Sequence, residues 1–419
     1  MPAKQVSDYC EGVAAKYLSA VDADPKRSNQ HEIGGLPSVG FKQYLGEPAK
    51  LEKRVFNARM VYLKDEHDTP EMFEDAVTWY DCRENQPHRS PEYRLYYKSN
   101  PVTELLNPGD FFLIAKLRDN SLLLAFTPAN SSLELQLRAL FGIDNVREKG
   151  FNAGNISKSG LLLPLRLLLE DLGIEAFRAE PDDDEWLARL LAAFGYNGFP
   201  ATARFSAFAR QSLENEVDAV AEADATLLAW MEREEKLFRI FERYFVQQRL
   251  REGFGEHGDD VDAFIAFSLS VQNRRKSRVG HAFEGHLDTL FRLHGLHFEQ
   301  GRGKGRVTEN NAKPDFLFPD FGSYHNPVFP TQNLRILGAK TTCKDRWRQV
   351  LSEAARISVK HLVTLEPAIS LAQTEEMRSH QLQLVIPQAI HATYTPAQQG
   401  GLMTLDHFIR EIRRLQANC

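Results

Sequence analysis

Cysteine is scarce: four residues in 419 (Cys10, Cys82, Cys343, Cys419), far apart and without a CxxC pair. This spacing excludes a disulfide-stapled scaffold and a thiolate zinc site. Long apolar runs are missing too. The nearest, Gly160 to Leu169, is broken by Pro164 and Arg166, whereas a membrane-spanning helix takes about 20 apolar residues. Residues 1–10 carry no basic-then-apolar leader, so a cytoplasmic location and no membrane partner are expected. Nor is there an excess of positive charge. With 51 basic against 57 acidic residues, a protein that coats nucleic acid indiscriminately is excluded, but one that clusters its cations locally is not. What is present is a globular composition, with 42% hydrophobic and 26% charged residues, in a chain long enough for two or three domains.

The first part of the chain reads as short strands and turns. Arg54 to Leu63, Ala76 to Tyr80 and Tyr93 to Lys98 mix β-branched and aromatic residues. Asn107-Pro108-Gly109-Asp110 is a turn signal, and Arg118-Asp119-Asn120 separates the apolar runs Phe111 to Lys116 and Ser121 to Phe126, which predicts a hairpin. An all-β unit over residues 1–176 follows from this rhythm. Pro181 and the acids after it mark residues 177–196 as an acidic linker. Helical stripes then alternate with short strands over residues 197–419, predicting an α/β second domain.

One stretch points to chemistry. Asp315 follows a proline and opens the run Phe316-Leu317-Phe318; Lys340, 25 residues later, ends the run Leu334 to Ala339. Two adjacent strands would bring the carboxylate and the ammonium to one sheet edge. Glu353, on the helix expected after the second strand, could return to the same edge, and Glu284 lies on a preceding helix. Carboxylates of this kind hold Mg²⁺, which favours oxygen ligands and activates water for phosphodiester hydrolysis, while a lysine orients the water or offsets developing charge. Spacing alone leaves open that Asp315 starts a turn and that Lys340 is solvated. Other candidates are weaker. His281, His286, His294 and His297 do not face one ligand, and Cys343 lies beside Lys340 and Lys344 with no base to work with. Gly301 to Arg306 lacks the spacing of a phosphate loop and reads as a flexible, basic, DNA-facing loop.

From Ser270 to about Ile412 the chain resembles the catalytic domain of the EcoRII-type Type II restriction endonucleases. The segments that carry the resemblance are Val271-Gln272-Asn273-Arg274-Arg275-Lys276-Ser277-Arg278-Val279-Gly280, Lys313 to Pro319 and Ala339 to Gln349, extended by Ser370 to Gln373 and Leu402 to Leu405. The resemblance implies a C-terminal PD-(D/E)XK restriction-endonuclease-like fold with Asp315, Lys340, Glu353 and Glu284 as catalytic residues. Asp315 and Glu353 would be the metal ligands; Gly338 stands where the second carboxylate conventionally sits. It further implies base recognition by Lys344, Asp345 and Arg346, whose donors and acceptor suit C·G pairs in CC…GG-flanked, CCWGG-like targets. Arg274, Arg275, Lys276 and Arg278 are expected on the DNA backbone. Extrusion of the central base pair is implied as well, with Arg233 as pocket candidate, although an exposed helix charge would look the same. So would an exposed partner of Asp288 at Glu284, though that pair is like-charged.

The order of the first 176 residues resembles, less closely, the effector domain of the same enzymes, a B3-like pseudobarrel with flanking helices. Ser28 to Gly35 and Arg89 to Lys98 carry that likeness, which makes His31, Arg89, Glu92, Arg94 and Lys98 candidate DNA contacts. A polar sheet face would read alike, and His31 would equally cap a turn. The implied partners are double-stranded DNA, a second copy of the chain in a homodimer, and a DNA methyltransferase within a restriction-modification system. The rival reading is a non-catalytic, sequence-specific DNA-binding regulator that kept the fold.

Overall fold

The computed structural model describes residues 6–23, 31–66, 70–86, 88–143, 146, 150–153, 163–174, 180–343 and 346–417. The chain divides into two compact units, Met1–Ala176 with Pro367–Gln373, and Phe177–Glu366 with Thr374–Cys419.

The first unit is built on an eight-stranded sheet. Its strands are β1 (Cys10–Tyr17), β2 (Glu32–Ile33), β3 (Arg54–Tyr62), β4 (Glu71–Asp81), β5 (Tyr93–Tyr96), β6 (Phe111–Leu117), β7 (Leu122–Thr127) and β8 (Asn152–Ala153). They lie in the order β2-β5-β4-β3-β7-β6-β1-β8, and only β3 and β7 pair in parallel. The expected hairpin forms between β6 and β7, with Asn120 at φ 71° completing its turn. Both strands are buried along their whole length, and burial on both faces explains their apolar sequence, which only the buried Lys116 and Thr127 interrupt. Trp79, Leu95, Phe112 and Phe126 meet in the core. Helix α1 (Ser132–Phe141) follows, its first turn capped by the Ser131 hydroxyl, the usual answer to unpaired N–H groups.

The acidic segment is not a solvated connection. Asp183–Phe194 is helix α2, and Trp186, Leu187, Leu190, Leu191 and Phe194 pack into an aromatic cluster with α3 (Thr202–Gln211) and α4 (Ala223–Glu252). Lys236 answers its charge, 2.8 Å from Glu180 and 2.9 Å from Asp182. The helical stripe outweighs the acids because the apolar face has a partner while the carboxylates stay at the rim. Helix α5 (Val261–Leu293) then leads into a mixed four-stranded sheet in the order β12-β11-β10-β9. These strands are β9 (Phe316–Phe318), β10 (Arg335–Lys340), β11 (Lys360–Thr364) and β12 (Leu382–Val385). β9 and β10 are antiparallel; β10, β11 and β12 run parallel. Helix α6 (Trp347–Ser352) connects β10 to β11, and α7 (Leu405–Ala417) closes the chain, its first N–H groups accepted by the Asp224 carboxylate.

Candidate active site

Pairing of β9 with β10 places Leu337 opposite Phe316, so Asp315, one residue before β9, faces the end of β10. Its Oδ2 accepts from the Ala339 amide at 2.7 Å and from Lys340 Nζ at 2.8 Å. The approach to Asp315 is fixed from behind. The Gly301 amide donates to Pro314 O at 2.8 Å, and a Cβ on Gly301 would lie 2.7 Å from the Lys313 carbonyl carbon; only glycine permits this contact.

Glu353 arrives from the other side, at the C-cap of α6 rather than within the helix. Its carboxyl is raised to about 7, by burial first and then by the Asp315 carboxylate, against the opposing ammonium groups of Lys340 and Lys360. Asp315, Lys340 and Glu353 therefore share one electrostatic environment. Glu353 Oε2 is buried and has no hydrogen-bond partner among the described residues. An orphaned carboxylate oxygen is costly, and together with Asp315 it forms an oxygen-only donor set that fits a hard divalent cation.

Gly338 shows why the carboxylate is displaced. A Cβ at this position would lie 2.5 Å from Val350 Cγ2, so α6 packs directly on the strand where the conventional ligand would project. The helix that closes that position delivers Glu353 at its end.

Sequence reasoning missed the residues that hold this end. Lys360, buried at the start of β11, donates to Leu351 O at 2.7 Å and to Glu353 O. It thereby satisfies helix-terminal carbonyls that otherwise lack partners. Ala354 follows at φ 49°, with its amide on Thr308 Oγ1 at 3.3 Å and the next amide on Glu309 at 3.0 Å. Glu366 is a second omission: its buried carboxylate accepts the Cys343 amide and so anchors the segment leading to Arg346. A buried lysine and a buried glutamate inside apolar runs were the available signals.

Other candidates are placed differently. Glu284 lies on α5, where it is engaged by Arg302, and no hydrogen bond joins it to Asp315, Lys340 or Glu353. The 301–306 loop is thus tethered, with Arg306 3.0 Å from Glu299. Arg346 is exposed beside the N-terminus of α6; Lys344 and Asp345 lie outside the described residues. The expected row of backbone-binding cations is largely consumed by the fold. Arg278 is buried, 3.2 Å from Glu234 and stacked 4.1 Å over Phe205. Arg275 pairs with the buried Glu242 at 2.6 Å, and Arg274 stacks 4.8 Å over Phe199. Lys276 is on α5, its side chain outside the described set. Arg233 donates to Ser212 Oγ at 3.0 Å and stacks on Trp186, a tie between helices rather than an open base pocket. His286 is sealed between Glu234 at 3.0 Å and Arg210 at 3.1 Å, and burial lowers its pKa. The Cys343 thiol is pushed well above its ordinary range by burial and then by Glu366.

In the first unit, Arg94 bridges Glu32 and Glu92, at 2.8 Å each. Glu92 also meets Arg83, so this face is internally neutralised. Arg89 donates to Gln86 at 3.0 Å, and His31 packs edge-on to Tyr97. β5 spans only Tyr93–Tyr96, which leaves Glu92 just before the strand and Lys98 exposed beyond it. Ser28, Asn29 and Gln30 lie outside the described residues.

Residues 238–409 match the family model described as EcoRII C terminal. The chain is 48% identical over 196 residues to the Type II restriction enzyme EcoRII of Escherichia coli, an alignment covering 46% of each protein. It thus spans about half the length of the curated relative it matches. Among solved structures, metal-depleted Ecl18kI in complex with uncleaved, modified DNA gives a TM-score of 0.45 at 18% identity, covering 57% of this chain and 86% of that one. The PspGI–substrate DNA complex gives 0.44 at 14%, covering 53% and 95%. The EcoRII-type resemblance read from the C-terminal strings is borne out by the family match and the 48% identity.

Proposed function

We propose that the chain is a Type II site-specific endodeoxyribonuclease that hydrolyses phosphodiesters in double-stranded DNA at a short CC…GG-flanked, CCWGG-like site. Asp315, Lys340 and Glu353 carry the reading, and Glu353 Oε2, buried without a partner, is the observation it rests on most. Asp315 and Glu353 would hold Mg²⁺. Such an ion, when bound, lowers the pKa of water and stabilises the leaving oxygen. Asp315 Oδ2 fixes the Lys340 ammonium at the strand end, where it orients the attacking water and offsets charge on the phosphate. Glu284 would join the set only on release from Arg302. Arg346, with Lys344 and Asp345, reads bases.

The C-terminal unit then has the restriction-endonuclease-like fold, and the first unit is a B3-like domain that takes an effector copy of the site. The enzyme acts as a homodimer, because two strands of a near-palindrome present two scissile bonds. Host DNA needs protection from such an activity, which implies a partner DNA methyltransferase in the same cytoplasm. A purely DNA-binding regulator would gain nothing from an unpaired buried carboxylate. Digestion of DNA of known sequence tests the proposal: Mg²⁺-dependent fragments with one common end sequence are expected, and Lys340→Ala should bind the site without cutting. Cutting by the purified variant overturns the assignment.

A further inference from the structure

A cavity of about 390 Å³ opens between α3, α5 and residues 300–302, a size that suits a small ligand. Its walls present more donors than the fold uses. Arg210, near the end of α3, is half-buried there and donates to His286 Nδ1 at 3.1 Å. That ring is neutral: burial lowers the histidine pKa, and its Nε2 faces Glu234 at 3.0 Å. Arg210 thus has no ion pair among the described residues, and burial lowers its own pKa although Glu234 and Asp288 lie near. Gln300 Nε2, on the same wall, is buried without a hydrogen-bond partner. Arg302 lines the cavity while holding Glu284. Asp288, an acid on the wall, is already taken up by Arg292, at 2.9 and 3.0 Å. Gly285 leaves the space open, since a Cβ there would meet nothing within 4 Å. A half-buried guanidinium and a buried amide cost free energy unless something accepts from them.

We propose that this cavity is an oxyanion site that takes a phosphate group, held by Arg210, Gln300 and Arg302. A guanidinium meets a phosphate with two parallel N–H donors, and the Gln300 amide adds a neutral one. A neutral nucleobase fits the walls less well, because it leaves the Arg210 charge without a counterion. Arg302 gives the site a consequence. A phosphate in the cavity competes with Glu284 for the Arg302 guanidinium, so occupation frees the Glu284 carboxylate. This consequence rests on the nuclease reading, in which Glu284 joins Asp315 and Glu353 only on release from Arg302. The anion site itself does not.

The test uses the metal-free full chain and inorganic phosphate, with ionic strength held constant by NaCl. Titration calorimetry should find one phosphate per chain, bound about tenfold more weakly by Gln300→Leu and by Arg210→Gln. Gln300→Leu removes an unpaired amide, so its thermal midpoint should match or exceed that of wild type. Arg210→Gln keeps a donor for His286. Absence of binding to wild type at tens of millimolar phosphate overturns the proposal, and so does equal binding by wild type and Gln300→Leu. Binding of free cytidine or adenosine in place of phosphate overturns it too. DNA binding in EDTA separates two sources of the group. A phosphodiester of bound DNA is displaced by inorganic phosphate in wild type and less so in both variants, whereas a free oxyanion leaves DNA affinity unchanged. Wild-type cleavage with no phosphate bound dismisses the site and leaves the nuclease reading standing. Cutting by Lys340→Ala, with phosphate bound as expected, does the reverse.

Discussion

Replacing Glu353 by glutamine should stabilise the metal-free protein and disable it. The carboxyl has an ordinary value of 4.5 and is raised to about 7, first by burial and then by Asp315. A raised folded-state value means that the folded chain holds the proton more tightly than the unfolded one. The stability this supplies is fully present below about pH 4.5 and is lost as pH rises through about 7. At about 1.4 kcal/mol per pH unit, the loss by pH 8.5 approaches ~3 kcal/mol, and residual solvent screening reduces it to about 1–3 kcal/mol. Glutamine keeps the shape without the ionisation. Urea denaturation in EDTA should therefore show Glu353→Gln more stable than wild type by about 1–3 kcal/mol at pH 8.5, with most of the difference gone at pH 5. Millimolar Mg²⁺ should raise the wild-type midpoint at pH 8.5 and leave the variant unmoved, because ion binding to the folded state alone stabilises it. A variant less stable than wild type at pH 8.5 in EDTA, or one stabilised by Mg²⁺ as much as wild type, refutes the reasoning.

Restoring a carboxylate at the conventional position with Gly338→Asp should fail, since the new Cβ meets Val350. Overpacking of this kind costs about 1–3 kcal/mol, measurable as a lowered urea midpoint, with no cleavage returned to the Glu353→Gln protein. Arg278→Ala removes the arginine from the buried Glu234, leaving it with His286, and should cost about 3–5 kcal/mol, while the salt dependence of DNA binding by the folded fraction stays unchanged. Arg346→Ala should lose about 1–3 kcal/mol of discrimination between sites in competition binding; a uniform loss across all sequences would make Arg346 a phosphate contact.

Asp315 and Lys340 were legible because the runs beside them are strands whose register follows from their apolar pattern, and because the strings around them are idiosyncratic. Position in the chain put Glu353 within reach of their sheet edge, and the resemblance made it the displaced metal ligand. Its physical reason, the closure of Gly338 by Val350, is a contact between a strand and a helix that spacing does not encode. The basic run from Arg274 to Arg278 misled for a related cause. Charge was visible in the sequence, but the acids that absorb it, Glu234 and Glu242, lie 44 residues before Arg278 and 33 before Arg275 on α4. The acidic segment after Pro181 gave the same lesson inverted, since its apolar stripe found the aromatic cluster and became core. Burial of a charge is decided by such distant partners.

The central claim is that Asp315 and Glu353 hold one divalent ion beside Lys340. Anomalous diffraction from crystals of the protein soaked in Mn²⁺ tests it directly. One peak within coordination distance of both carboxylates, absent from Glu353→Gln crystals, is the predicted result. A peak confined to other acidic groups, or none at these two at saturating Mn²⁺, would contradict the account.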